Sequence, residues 1–166
     1  MSDVVHFSDA PRVFAKADQL FAREEARIRA ELPAAEIVHV GSTAIAGSLT
    51  KGDLDIAVRV SPSQFAEAER RLSRMYARNT GSDRNDVFSA FMDASTDPEL
   101  GVQLVVIGSD YDRFGAWLEL LRASAQLRRE YDDLKRLHEG EPMDVYRAAK
   151  SQFIEARLGE PGDGHR

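Results

Sequence analysis

The segment DLDIAVRV, residues 53–60, alternates without a break: Leu54, Ile56, Val58 and Val60 fall on one side, Asp53, Asp55, Ala57 and Arg59 on the other. That period of two belongs to a β-strand with one buried face. Such a strand cannot stand alone, because its backbone needs paired neighbours and its apolar face needs a cover. EIVHVGS (36–42) reads as a short buried strand, and VFSAFMDA (87–94) and GVQLVVIG (101–108) as two more, joined by the turn-rich STDPEL. The cover comes from helices. Val13, Phe14, Ala17, Leu20, Phe21 and Ile28 recur at helical spacing, which predicts a helix over about residues 11–31. SPSQF (61–65) predicts a second helix start, with Ser61 as cap, Pro62 in the first turn and Gln64 closing a capping box; the helix is expected to run to about Ala77.

After the loop TGSDRND (80–86), the remainder reads as helical. Phe114, Trp117, Leu118 and Leu121 share a stripe, QLRREYDDLKRLH (126–138) follows, GEP (140–142) breaks the pattern, and MDVYRAAKSQFIEARL (143–158) closes it. Strands with helices before, between and after them imply a small mixed α/β (α+β) domain over residues 1–158, its C-terminal helices packed beside the sheet. GEPGDGHR (159–166) is expected to be a flexible tail.

A chain of 166 residues, 43% of them hydrophobic, is long enough to bury a real core. Its formal net charge of −6 argues against a general nucleic-acid surface but leaves room for a local basic pocket. The absence of cysteine excludes disulfides and thiolate metal sites. No apolar run approaches the roughly 20 residues that span a bilayer. The opening MSDVVHFSDAPR lacks the basic start and apolar core of a secretory signal, so a cytoplasmic location is expected.

Chemistry concentrates in HVGSTAIAGSLTKGDLDIAV, residues 39–58. Residues two apart on a strand point the same way, so Asp53 and Asp55 share a face and repel. A divalent cation between them relieves that repulsion, and magnesium binds through one or two carboxylates together with substrate phosphates. Gly41 lets the backbone approach a phosphate, and backbone N–H groups with the Ser42 hydroxyl can donate to its oxygens. The structural alternative is a turn followed by a solvated strand face. Lys51 is a phosphate contact or a counter-charge. Arg59 reads as structural, and His39 as a hydrogen-bonded structural histidine. There is no G-x-S-x-G elbow and no H-E-x-x-H pattern.

Gly41-Ser42, ten intervening residues, then Asp53-x-Asp55 resembles the signature of the nucleotidyltransferase (polymerase-β-like) superfamily. VHVGSTAIAG with KGDLDIAV, and EYDDLK with VYRAAKSQFI, resemble the GrpB family over roughly Glu36 to Leu158. The resemblance implies a mixed sheet flanked by helices, with Mg2+ (or Mn2+) held by Asp53 and Asp55 as the catalytic pair. It also implies nucleotide phosphate at Gly41, Ser42 and Thr43. Active superfamily members often carry a third carboxylate on a later strand. GVQLVVIG offers Gln103 instead, and Asp93 lies on a neighbouring strand candidate.

Tyr131 and Lys135, and Tyr146 and Lys150, are each four apart, on one helical face per pair. Either Lys135 and Lys150 reach ligand phosphates, or the tyrosines pack in the core while the lysines snorkel to solvent. The expected function is magnesium-dependent transfer of a nucleotidyl group from a nucleoside triphosphate to an acceptor: a small molecule, a protein hydroxyl or an RNA end. The alternatives are a non-catalytic nucleotide or phosphate-ligand binding module of the same fold, and a partner-binding protein working through its C-terminal helices.

Overall fold

A computed structural model describes residues 3–159; the expected tail, beyond Gly159, lies outside the described residues. Five strands form one mixed sheet in the order β1-β2-β5-β4-β3. They are β1 (Glu36–Val40), β2 (Leu54–Val60), β3 (Ala77–Arg78), β4 (Phe88–Asp93) and β5 (Leu100–Val106). The central pair, β2 and β5, is parallel; the other pairings are antiparallel. Parallel neighbours need a crossover, and α2 (Phe65–Met75) lies in the connection between them.

Alternation divides the sheet cleanly. Leu54, Ile56 and Val58 are fully buried, in one cluster with Leu100, Val102 and Leu104 of β5. Helix α1 (Pro11–Glu31) adds Leu20 and Ile28 to that cluster, and α2 adds Phe65, Ala68 and Leu72. Each such leucine, isoleucine, valine or phenylalanine stabilises the fold by about 1.5–3 kcal/mol. The opposite face carries Asp55, Gly101 and Gln103. Over it pack α3 (Phe114–Ala123), α4 (Ala125–Leu137) and α5 (Met143–Leu158), which share an aromatic cluster of Trp117, Tyr131 and Phe153. Among the described residues no helix is long and apolar enough to cross a membrane.

Two features depart from the expectation. The Ser61–Gln64 capping box is present, but it opens a 3-10 turn (Pro62–Gln64) before α2. Helix α2 then ends at Met75 rather than near Ala77, because Tyr76 turns into extended backbone and leads into the short edge strand β3. Tyr76 is pulled inward by Glu24 of α1, whose carboxylate is fully buried and accepts the Tyr76 hydroxyl at 2.5 Å. Arg23 and Arg27, both half-exposed, lie over the same carboxylate. Glu24→Ala would leave the Tyr76 hydroxyl buried and unpaired, so we expect a loss of about 2–3 kcal/mol in urea unfolding. Tyr76→Phe should cost less, because the two arginines still pair with Glu24.

Residues 3–8 also form a structural strap. The Val5 N–H donates to Glu141 O at 2.9 Å, and its carbonyl accepts from Gly140 at 2.8 Å. Ser8 and Thr50 exchange backbone bonds at 2.8 and 3.0 Å. The strap ties the GEP turn between α4 and α5 to the loop that precedes β2.

Candidate nucleotide and metal site

The sheet register places Val40, Asp55 and Gly101 abreast on β1, β2 and β5. Glycine follows Val40 and faces Asp55 from β5, so the Asp55 carboxylate lies between two residues without side chains. A Cβ on Gly41 would stand 2.6 Å from Asp55 Oδ2, and one on Gly101 2.9 Å from Oδ1. Gly41 also holds φ +78°, ψ −178°, a conformation available essentially only to glycine. It opens a 3-10 turn, Ser42–Ala44, whose leading N–H groups lie outside the turn's own bonding.

Asp53 and Asp55 line one small cleft of about 120 Å³ with Ser42, Lys51, Tyr131 and Lys150. Asp55 is walled by protein but keeps open surface toward this cleft. Burial pushes its pKa up; Lys150 is the largest opposing influence, Asp53 adds repulsion, and Lys51 and the Gln103 amide favour the charged form. Asp53 is half-open, with Oδ2 3.1 Å from Lys51 Nζ. The cleft widens into a cavity of about 430 Å³ that includes Gly41, Ser42, Asp55 and Gln103, and its far wall is aromatic: Phe88, Tyr111, Phe114 and Trp117.

Gly41, Ser42, Lys51, Asp53, Asp55 and Lys150 are therefore brought together. The Ser42 hydroxyl donates to Thr50 Oγ1 at 2.7 Å, and Thr50 Oγ1 also accepts from Gly52 N. The Ser42 hydroxyl must leave Thr50 before it can donate to a phosphate. Thr43 and Lys135 are placed elsewhere. Thr43 is buried and its hydroxyl donates to the Asp53 carbonyl at 3.0 Å, so it fixes the backbone of the aspartate. With that proton committed, His39 Nε2, 2.9 Å away, must donate to Thr43, so Nε2 carries a proton. Burial lowers the His39 pKa, against the opposing influence of Asp18. His39 stacks on Phe21 of α1, on the sheet face opposite Asp55, and Arg59 is held by Asp112 through two bonds of 2.8 Å; both are structural.

The family is decided by comparison. The GrpB family profile, described as GrpB protein, matches residues 15–160. This chain belongs to the GrpB family. A UPF0157 protein of Vibrio cholerae serotype O1 is 30% identical over 160 residues, covering 96% of this chain and 85% of that protein. The crystal structure of the conserved protein GrpB from Enterococcus faecalis superposes with a TM-score of 0.60 at 14% identity, over 84% of this chain and 86% of that one. A structure of Cid1 poly(U) polymerase with MgGTP bound gives a TM-score of 0.47 at 13% identity, over 72% of this chain and 40% of that one. A likeness of that size says nothing about this chain's ligand.

In this GrpB chain neither expectation for the first Tyr-Lys pair holds for its lysine. Tyr131 and Tyr146 are core residues, and burial pushes the Tyr131 hydroxyl up to about 12. Lys135 neither lines the two cavities that contain Asp55 nor reaches solvent. It is 1% exposed, its ammonium donates to Leu49 O at 2.5 Å, and it lies 4.0 Å from the Tyr131 ring centroid. Asp132 accepts from Leu49 N at 3.1 Å, so one turn of α4 grips both sides of a loop residue that follows the Gly-Ser turn. Lys150 lines the cleft that contains Asp55.

Burial lowers the Lys135 pKa from 10.5 to about 8. A depressed pKa contributes stability that is present above the unfolded value and lost as pH falls through the folded one. The stability of wild type relative to Lys135→Met is therefore expected to rise between about pH 8 and 10.5, by up to about 3 kcal/mol. Urea unfolding of both proteins across that range reads it. A pH-independent difference would place the ammonium in solvent.

The aromatic wall and Gln103 were the parts of the site not drawn from the sequence as ligand contacts. A signal existed: Gly101 and Gln103 interrupt one face of an otherwise apolar strand, and a glycine within a strand marks a close approach.

Proposed function

We propose that this chain transfers a nucleotidyl group from a nucleoside triphosphate, with Mg2+ or Mn2+, to an acceptor. The observation that carries this is the Asp55 carboxylate held between Gly41 and Gly101, beside Asp53, at the end of a cavity with an aromatic far wall. The donor set fits the ion: two carboxylates share a cleft, and magnesium completes its shell from phosphates and water. Asp53 and Asp55 would hold it, and when bound it neutralises phosphate charge and makes the α-phosphorus more electrophilic.

The chain's own groups position the rest. The Ser42 N–H group and the Lys150 ammonium meet phosphate oxygens, and Lys51, freed from Asp53, adds positive charge at the lip. The base lies against Phe88, Tyr111 and Phe114. An acceptor oxygen forms a bond to the α-phosphorus, the bond to the bridging α–β oxygen breaks, pyrophosphate leaves, and the acceptor proton passes to solvent. Lys135, Asp132 and Thr43 act one step back, holding the loop and the aspartate backbone. Residues 1–158 act as one domain in this reading.

The test is incubation with α-labelled nucleoside triphosphates, magnesium and fractionated small molecules, proteins and RNA, following pyrophosphate release and label transfer. Transfer should be lost in Asp55→Asn. Lys150→Met should weaken triphosphate binding by roughly ten- to a hundredfold with little change in melting temperature. A second reading, a binding module without turnover, has its own support. Among the described residues no group of three His, Cys, Asp or Glu could hold a metal, and β5 presents Gln103 rather than a carboxylate. Magnesium-dependent binding with no pyrophosphate release from any fraction would favour it.

A further inference from the structure

Gln103 brings to the cavity a buried polar atom whose bonding is incomplete. Its Oε1 is buried and has no hydrogen-bond partner among the described residues. A buried acceptor left in that state is costly, and a ligand that donates to it recovers the loss. The orientation of the amide follows from its neighbour. Gln103 Nε2 and Asp55 Oδ1 both crowd the space above Gly101, and an ionised carboxylate only accepts, so the NH2 group faces Asp55 and the carbonyl faces away.

Position along the cavity says what that carbonyl meets. On β5, Gly101 lies beside Asp55, Gln103 beside Ala57 and Ala90, and Val105 beside Phe88. All three share one face of the strand, so Gln103 stands roughly 6–7 Å along β5 from the aspartate end and the same from the aromatic end. Phe88 and Tyr111 are stacked at 4.9 Å, and Phe114 is stacked on Phe88 at 6.4 Å. In a nucleotide the unit that joins a base to its α-phosphate over a step of about this length is the sugar, and its hydroxyls are donors.

We infer that Gln103 reads the sugar: its Oε1 accepts a hydrogen bond from a ribose hydroxyl, so that the cavity disfavours nucleoside triphosphates that lack that hydroxyl. This rests on the nucleotide reading of the site and adds the substrate class to it. No proton or group moves in the contact; it is a binding interaction whose loss leaves the carbonyl buried without a donor. Its neighbours on the sheet do not compete for the role. Asp55 takes the amide NH2, and Ala57 and Ala90, its cross-strand neighbours, offer no polar side-chain atom.

The test is calorimetric titration, with magnesium and no acceptor, of ATP, GTP, CTP and UTP against their 2′-deoxy and 3′-deoxy forms. Wild type should bind the ribonucleotide about tenfold or more tightly than one of the two deoxy forms, and that form identifies the hydroxyl. In Gln103→Met and Gln103→Leu the ratio should fall to near one. A general disturbance of Asp55 would lower both affinities together and leave the ratio intact. Equal binding of ribo- and deoxyribonucleotides by wild type, or an unchanged ratio in folded variants, overturns the role of Gln103 while leaving the nucleotide site standing. Failure of wild type to bind any of these nucleotides overturns both.

Discussion

Gly41→Val is expected to destabilise the chain by about 3–5 kcal/mol and to abolish triphosphate binding. Two independent effects add. The backbone at φ +78°, ψ −178° strains any β-branched residue by about 1–3 kcal/mol. The new Cβ would also meet Asp55 Oδ2 at 2.6 Å and Asp55 Cβ at 3.1 Å, and the second of these atoms cannot swing aside without moving β2. Relief then displaces the loop, the carboxylate or both, and each displacement removes part of the proposed phosphate cradle. Gly41→Ala should show the same pattern with a smaller stability loss. Urea unfolding and nucleotide titration on the same preparations check this. Wild-type stability in Gly41→Val would mean that the glycine conformation is not required.

Asp55→Asn is expected to move stability and binding in opposite directions. Burial and the neighbouring Asp53 raise the Asp55 pKa despite Lys150, so the folded state disfavours the charged form that the unfolded chain adopts at neutral pH. That penalty sets in as pH rises past 3.8 and is complete above the folded pKa. Asparagine keeps the shape and deletes the penalty, so the variant should melt higher than wild type at pH 7, with the advantage fading as pH falls toward 4. The same change should reduce magnesium-dependent triphosphate affinity by more than about a hundredfold, since a direct ligand is lost. A site retained against its own stability cost is the pattern expected of function rather than packing. A lower melting temperature at pH 7 would show that the carboxylate is a structural element.

The parts of the molecule that could be read in advance are those set by local periodicity. Helix α1 occupies the expected residues because its apolar positions repeat every three to four. Strand β2 faces the expected way because alternation allows only two choices. The shared cleft of Asp53 and Asp55 follows from the same alternation. Glu24 was within reach of this logic: it lies four residues after Leu20 and four before Ile28, on the apolar stripe. What local pattern cannot carry is contact between distant segments. Lys135 meets the Leu49 carbonyl across 86 positions and Tyr76 meets Glu24 across 52. No spacing rule says that an ammonium four residues from a tyrosine goes inward. The strap of residues 3–8 and the two-residue strand β3 are defined by bonds to remote backbone, not by any period of their own. Thr43 departs from the expectation for a related reason: where its hydroxyl points depends on how the 3-10 turn lies against the backbone of Asp53, ten positions away.

The central claim is that Asp53, Asp55 and the Gly41-Ser42 turn form one metal-dependent triphosphate site. Calorimetric titration of nucleoside triphosphates into wild type and into the Asp53→Asn/Asp55→Asn double variant, each with and without magnesium, tests it most directly. The account predicts binding by wild type that requires magnesium, and no magnesium-dependent binding by a double variant that remains folded. Equal magnesium-dependent binding by the two proteins, or no binding by wild type under any of the conditions, would contradict it.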